Sequence, residues 1–319
     1  MLSYDWLKII GAAVAGILVW TLIFTMTATR IRASQKFTVF NYTSNESWTG
    51  TDFNNFYGDI LNSDVFSYEV IETENTDLAA TPDMAVTLLE ARLTVGECHA
   101  MFIADTENKD SAYEEDGETK YLTHLQSFAQ GGFSHYVADL SLESETGYFK
   151  SLEAYLSKFY TDWNDASTLN EEAVKEEFLM RAKKNKDKRF KTEEEKTKGA
   201  KEDVERIKKY RNALVDFYGY LDAGYVAITQ TSVPDYYDNT RTIDRYTINL
   251  CPDESTMGDL KKIVSYPVSY VDENGTESVK YTAENMNLMI FDLEDVEDGF
   301  QYESLLFVNY LVQKYCSAL

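Results

Sequence analysis

The period of apolar and polar positions changes several times along the chain. Residues 9–28 (IIGAAVAGILVWTLIFTMTA) form one uncharged, mostly apolar run. A helix rises about 1.5 Å per residue, so a run of this length matches the roughly 30 Å hydrocarbon core of a bilayer. The pattern predicts a transmembrane helix over 9–28, behind a short tail (1–8) and ahead of a linker (29–36). Residues 37–42 (FTVFNY) then alternate and predict a strand. Phe53, Phe56, Tyr57, Ile60 and Leu61 recur at helical spacing, and 66–71 (FSYEVI) predicts a second strand. Thr81-Pro82 is a helix start, with a capping hydroxyl and proline at the first helical position. That helix carries Met84, Leu88, Leu89 and Leu93 to Gly96, and 98–104 (CHAMFIA) is an apolar third strand. Strand–helix–strand–helix–strand implies parallel strands joined by crossover helices.

Residues 107–120 are polar and acidic and predict a surface loop, with a short helix over 121–130 before Gly131-Gly132. From 146 the period is helical. Phe149, Leu152, Leu156, Phe159 and Trp163 follow 3–4 spacing, and Thr168 with Glu171 predicts a capping box for a helix bearing Val174, Phe178 and Leu179. Ile207, Tyr210, Leu214, Phe217 and Leu221 form the buried stripe of a helix over 201–222. β character returns over 225–232 and 245–250. Residues 264–271 and 277–282 flank Asn274-Gly275, which predicts a hairpin, with Pro267 marking an edge or bulge. A strand over 288–291 and a helix over 302–316 close the chain. The expected division is an α/β lobe (37–145), a mainly helical lobe (146–224) and a β-rich return (225–319) completing the first lobe.

Charge changes this picture in two ways. The 319 residues carry 54 acidic and 30 basic side chains, a formal charge of −24, which argues against nucleic-acid binding because phosphates are repelled. Fifteen of the basic residues fall within 171–211, so the helical middle is a mixed-charge solvated region and the rest is strongly acidic. The apolar run is longer than the core of a cleaved signal peptide and lacks a good cleavage site, which favours an uncleaved signal-anchor. Arg30, Arg32 and Lys36 behind the run favour a cytoplasmic domain by the positive-inside rule. Abundant Tyr and Asn and the short tail favour an extracytoplasmic one, which is the placement adopted.

Chemistry is sparse. Cys98, Cys251 and Cys316 are too scattered for a disulfide framework or zinc site, and buried free thiols are the simpler reading. His99, His124 and His135 sit in no H-E-x-x-H spacing. The nucleophile-elbow, P-loop and dinucleotide motifs do not occur. The acidic runs 114–118 and 292–298 do not fit the spacing of a calcium loop. The chain is therefore expected to be non-catalytic, without cofactor or metal.

Three segments carry a resemblance: 36–42 (KFTVFNY), 88–105 (LLEARLTVGECHAMFIAD) and 225–232 (YVAITQTS). Their order resembles the extracellular solute-binding proteins of ABC transporters, with their two-lobed type II periplasmic-binding fold, although that family is usually released or lipid-anchored. The resemblance implies capture of a small solute, such as a sugar or peptide, between two hinged lobes, and an ABC permease or other membrane complex as partner. It places ligand contacts in the loops after the strands, at Tyr42, Thr43, Ser44, Asp105 and Thr106, with Trp48 or Trp163 stacking on a ring. Two further readings stay open. A membrane-tethered scaffold or interaction protein would show an exposed apolar patch, and an anchored hydrolase would show two carboxylates or a Ser/His pair meeting in a pocket.

Overall fold

The computed structural model describes residues 2–27, 32–42, 48–49, 53–78, 82–115, 117–235, 238, 240–271, 275–292 and 299–316. The chain divides into two compact units, Met1–Arg32 and Ala33–Leu319. The first holds α1 (Leu2–Thr27), whose described side chains, among them Ile9, Val14, Ile17, Leu18 and Trp20, are exposed. Among the described residues no helix is long and apolar enough to cross a membrane. This corrects the transmembrane helix expected over 9–28.

The second unit begins with β1 (Lys36–Tyr42), β2 (Trp48–Thr49), α2 (Phe53–Asn62), β3 (Glu72–Asp77), α3 (Pro82–Thr94) and β4 (Ala100–Ala104). β1 pairs in parallel with β3 on one side and β4 on the other, so the opening is a parallel βαβαβ unit. A two-stranded hairpin follows, β5 (Glu107–Glu115) and β6 (Glu118–Thr123), then α4 (His124–Gln130) and a 3₁₀ turn at Gly132–Tyr136. The helices α5 (Tyr148–Leu156), α6 (Glu171–Lys184) and α7 (Glu193–Asp222) come next. The chain closes with β7 (Ala227–Pro234), β8 (Thr242–Asn249), β9 (Val264–Val271), β10 (Glu277–Thr282), β11 (Met286–Ile290) and α8 (Glu303–Tyr315). The main sheet runs β3-β1-β4-β11-β8-β7. β11 lies antiparallel to both β4 and β8, and β8 antiparallel to β7. A second open sheet is β10-β9-β2.

Strand alternation sorts the core into two layers. Phe37 and Val39 of β1, Phe102 of β4 and Leu288 and Ile290 of β11 face one cluster. Phe40, Met101, Ile103, Met289 and Phe291 face the other, under Leu89 and Leu93 of α3 and Leu125 and Phe128 of α4. Both sheet faces are covered, which is why these strands read as continuous apolar runs. Phe149, Leu152, Ile207, Tyr210, Leu214 and Phe217 of the helical region belong to the same cluster as Phe37 and Leu288. This corrects the two-lobed periplasmic-binding fold. The apolar stripe of α7 packs against the sheet's own core, and the architecture is mixed α/β with open sheets.

Several local expectations change for identifiable reasons. The residues of 66–71 do not pair as a strand. Phe66 is buried with its ring 4.6 Å from that of Phe37, and the ladder passes instead to the polar β3. The acidic loop over 107–120 is the β5–β6 hairpin, turning at Gly117 with φ +80°. The cap of α6 is Asn170, which accepts from the Ala173 amide, rather than Thr168. α7 starts eight residues before the expected helix, at a capping box between Thr192 and Glu195. The Thr81 cap, the Asn274 turn residue and the acidic run 293–298 lie outside the described residues.

α6 and α7 pack through a glycine. Gly199 sits where a Cβ would overlap the rings of Phe178 and Phe190, which meet edge to face at 4.8 Å. Gly199→Ala gains about 1 kcal/mol of helix propensity. It meets an overpacking cost of about 1–3 kcal/mol because Phe178 is itself buried. The variant is expected to be less stable by up to about 2 kcal/mol in urea unfolding, and an increase in stability would contradict this packing.

Candidate functional site

The carboxyl ends of β1 and β4 lie side by side, and they bring together three of the residues singled out from the sequence. Tyr42 stands opposite Ile103 in the parallel register, one residue before the end of β4. Its ring meets His124 edge-on at 6.2 Å and Phe128 at 6.3 Å. Asp105 and Thr106 follow β4 directly and are half-buried. The His124 amide donates to the Thr106 carbonyl (2.8 Å), which ties the start of α4 to this edge. Thr43 and Ser44 lie outside the described residues. Trp48 stands in β2, opposite Ser265 of β9. Trp163 sits elsewhere, in the α5–α6 connection, with its ring 6.2 Å from Tyr218 and its carbonyl accepting from Arg211 Nε (2.9 Å).

Behind this edge the sheet carries a polar row that spacing alone did not reveal. Asn287 stands opposite Ile103 and Asn249. Thr247 Oγ1 donates to Asn287 Oδ1 (2.9 Å) and Asn249 Nδ2 to Asn285 Oδ1 (3.0 Å). Asn41 is fully buried, and neither of its amide atoms has a partner among the described residues.

The buried titratable groups are held in single states. His99 accepts at Nδ1 from the Thr38 amide (2.9 Å) and stacks on Phe37 at 4.8 Å. Burial is the main cause that lowers its pKa to about 3, so the ring is neutral. Burial raises all three thiols, Cys251 to about 11 and Cys316 to about 12. A thiol held protonated is a poor nucleophile. Glu303, fully buried at the start of α8, accepts from the Ser67 amide (2.8 Å), the Ser67 hydroxyl and Tyr210 Oη (2.6 Å). Desolvation still raises its pKa. Among the described residues no group of three or more His, Cys, Asp or Glu side chains is placed to hold a metal ion.

The surface offers a different kind of feature in the β9–β10 hairpin. Its root is buried through Val264, Tyr266 and Thr282. Its outer half projects into solvent. Register places Val271 opposite Glu277, Val279 opposite Ser269 and Tyr281 opposite Pro267, so Pro267, Val271, Val279 and Tyr281 share one face. Val271, Val279 and Tyr281 are 65%, 58% and 51% exposed, a mainly apolar face left in water, with Ser269 and Glu277 exposed on the same face. β10 is the outermost strand of its sheet, and β9 is its sole strand partner among the described residues. The sequence announced the hairpin. It did not announce which face stays uncovered.

No protein-family model, curated protein or solved structure matches the chain. The resemblance to ABC-transporter solute-binding proteins is thereby overturned. Solute capture between two hinged lobes also fails, because the helical segment and the sheet share one core. The single-pass cell-membrane placement and the extracytoplasmic domain rested on a span that no helix among the described residues provides, and the permease partner falls with the overturned resemblance.

His99 generates a pH prediction. Its folded pKa lies below the ordinary value of about 6.5. Its contribution is fully present above pH 6.5 and is lost as pH falls toward 3, because the unfolded chain takes up a proton that the folded chain refuses. In urea unfolding between pH 6 and 4, the wild type is expected to lose up to about 1.4 kcal/mol per pH unit from this group. His99→Asn, which retains an acceptor for Thr38, is expected to show a shallower slope; parallel slopes would refute the buried neutral ring.

Proposed function

We propose that the chain is a non-catalytic interaction module that holds an extended, basic segment of a partner protein along the open edge of β10. The observation that carries this reading is the projecting β9–β10 hairpin, with three large apolar side chains in solvent beside an edge strand. An edge strand presents a row of backbone N–H and C=O groups, and an extended peptide pairs with that row while its alternate side chains meet the adjoining face. Val279 and Tyr281 are spaced by two and so meet every second side chain of such a segment.

Charge selects the partner. Residues 253–284 carry seven carboxylates against three lysines, within a chain of net charge −24. Lys280, the one cation on β10 itself, has its amine 3.5 Å from Glu254. A basic segment is therefore attracted to the hairpin and an acidic one is repelled.

The probe is an alternating lysine–valine decapeptide titrated into the full chain, with an alternating glutamate–valine decapeptide as control. The basic peptide is expected to bind, more weakly as salt rises, and to slow amide exchange across 277–282. Burying two apolar side chains contributes about 1.5–3 kcal/mol each. The double substitution Val279→Ser with Tyr281→Ser, which removes the apolar side chains without changing the charge, should therefore weaken binding at least tenfold, about 1.4 kcal/mol. Equal binding by the double variant, or unchanged exchange across β10, would overturn the reading.

A further inference from the structure

Lysines along the bodies of α6 and α7 are mostly neutralised by nearby carboxylates. Lys175 pairs with Glu172, Lys196 with Glu193, Lys198 with Glu202, and Lys208 with Glu171 and Glu205. The tip where the two helices join breaks this pattern. Residues 181–191 (RAKKNKDKRFK) hold seven basic side chains and one acidic one, in a chain that otherwise carries 23 basic against 53 acidic. Arg181 pairs with Asp203 and Arg189 with Asp187. Lys183, Lys184, Lys186 and Lys188 are exposed, and none of their amines makes an ion pair or hydrogen bond with a described residue. Lys183 and Lys184 end α6, where basic side chains complement the helix dipole. Lys186 and Lys188 lie past that end, so the dipole does not account for them.

The turn that carries these lysines is held in one shape. The Asn185 amide donates to the Arg181 carbonyl (2.9 Å) and the Asp187 amide to the Ala182 carbonyl (3.0 Å), with Lys186 between them at φ +50°. Asp187 Oδ1 accepts from the Arg189 amide (3.0 Å) and from Arg189 Nε (2.9 Å). Phe190 then turns inward onto Phe178, which Gly199 leaves room for. Like charges gathered on a fixed turn repel one another, and an arriving anion relieves that repulsion. Both arginines are already engaged, so the free cations are all lysines, hydrated point charges on flexible stems that suit irregularly spaced carboxylates. The one ring of the tip, Phe190, is half-buried, so no stacking platform of the kind that single-stranded nucleic acid uses is presented. Size counts as well. Charges act over about 8 Å at physiological salt, so a short acidic segment meets the tip alone. A large polyanion also meets the acidic remainder of the chain, beginning with Glu193 and Glu194 in the first turn of α7.

We infer that the α6–α7 tip is a second docking surface, with Lys183, Lys184, Lys186 and Lys188 receiving a short acidic segment of a partner protein. It is separate from the β10 edge, takes the opposite charge and does not rest on that reading. A glutamate-bearing peptide that the β10 edge repels is drawn to this tip, so the two surfaces are told apart by which substitutions abolish binding.

Fluorescence anisotropy of a rhodamine-labelled octaglutamate peptide titrated with the full chain tests this inference. Binding is expected at low salt and should weaken steeply as sodium chloride rises. Replacing Lys183, Lys184, Lys186 and Lys188 together by Gln should weaken it at least tenfold, since each exposed charge pair contributes a small share. The control replaces Lys150, Lys175, Lys208 and Lys262 by Gln, which changes the net charge equally but removes only lysines already paired. It is expected to alter binding by less than about threefold. Val279→Ser with Tyr281→Ser should leave octaglutamate binding unchanged. Absence of binding at low salt, or equal losses in the two lysine variants, overturns the site. A single-stranded DNA of about twenty nucleotides and vesicles containing phosphatidylserine serve as alternative polyanions, and tighter binding of either than of octaglutamate overturns the assignment to an acidic protein segment.

Discussion

Every layer of the second unit depends on the burial of β4 on both of its faces. All five residues of Ala100–Ala104 are inaccessible to solvent, with β1 parallel on one side and β11 antiparallel on the other. A strand in that position has no face for water, so apolar cover is needed above and below. The cover on one side is α3 and α4, and on the other it is α5, α7 and α8. Each large apolar side chain buried there contributes about 1.5–3 kcal/mol, and the contributions are cooperative because neither layer is complete without the sheet. The helical middle of the chain is thus a wall of the core. That single constraint removes the possibility of a separate hinged lobe.

Buried polar groups then fix how the layers meet. Glu303 joins α8 to Tyr210 of α7 and to Ser67 ahead of β3, so one carboxylate aligns three segments distant in sequence. Arg206, paired with Asp203, lies over the Tyr68 ring at 3.8 Å and closes the same corner. Such networks contribute little net stability, yet a missing member leaves an unpaired buried charge. They make one arrangement of the helices much better than its alternatives. His99 acts similarly at the start of β4, where a neutral ring supplies the acceptor that the Thr38 amide requires.

The open features follow from where this packing stops. The β9–β10 hairpin leaves the core at Tyr266 and Thr282, and beyond that point its apolar side chains have no layer to meet. The hairpin there offers backbone pairing beside a mainly apolar face, at an edge of the packing.

Periodicity sufficed for the elements with a strong buried stripe. Ile207, Tyr210, Leu214 and Phe217 are all inaccessible, as their spacing required, with Leu221 at the end of the stripe half-buried, and β1, β4 and the late hairpin were legible from alternation, apolar runs and turn residues. Elements stabilised mainly by backbone pairing or capping were not. β3 and the β5–β6 hairpin are polar, and the first turns of α7 carry a capping box but almost no apolar residue. Of the site residues, Tyr42, Asp105 and Thr106 meet because strand ends in a parallel sheet are adjacent, whereas Trp163 belongs to a helix connection that no local signal could place. By itself the sequence determined the acidic charge, the lack of known catalytic motifs and the identity of the strongly periodic elements, because these depend on residues close in the chain. Only the tertiary structure decided that the helices share the sheet's core and that Val279 and Tyr281 face water, because burial is set by residues far apart in the chain.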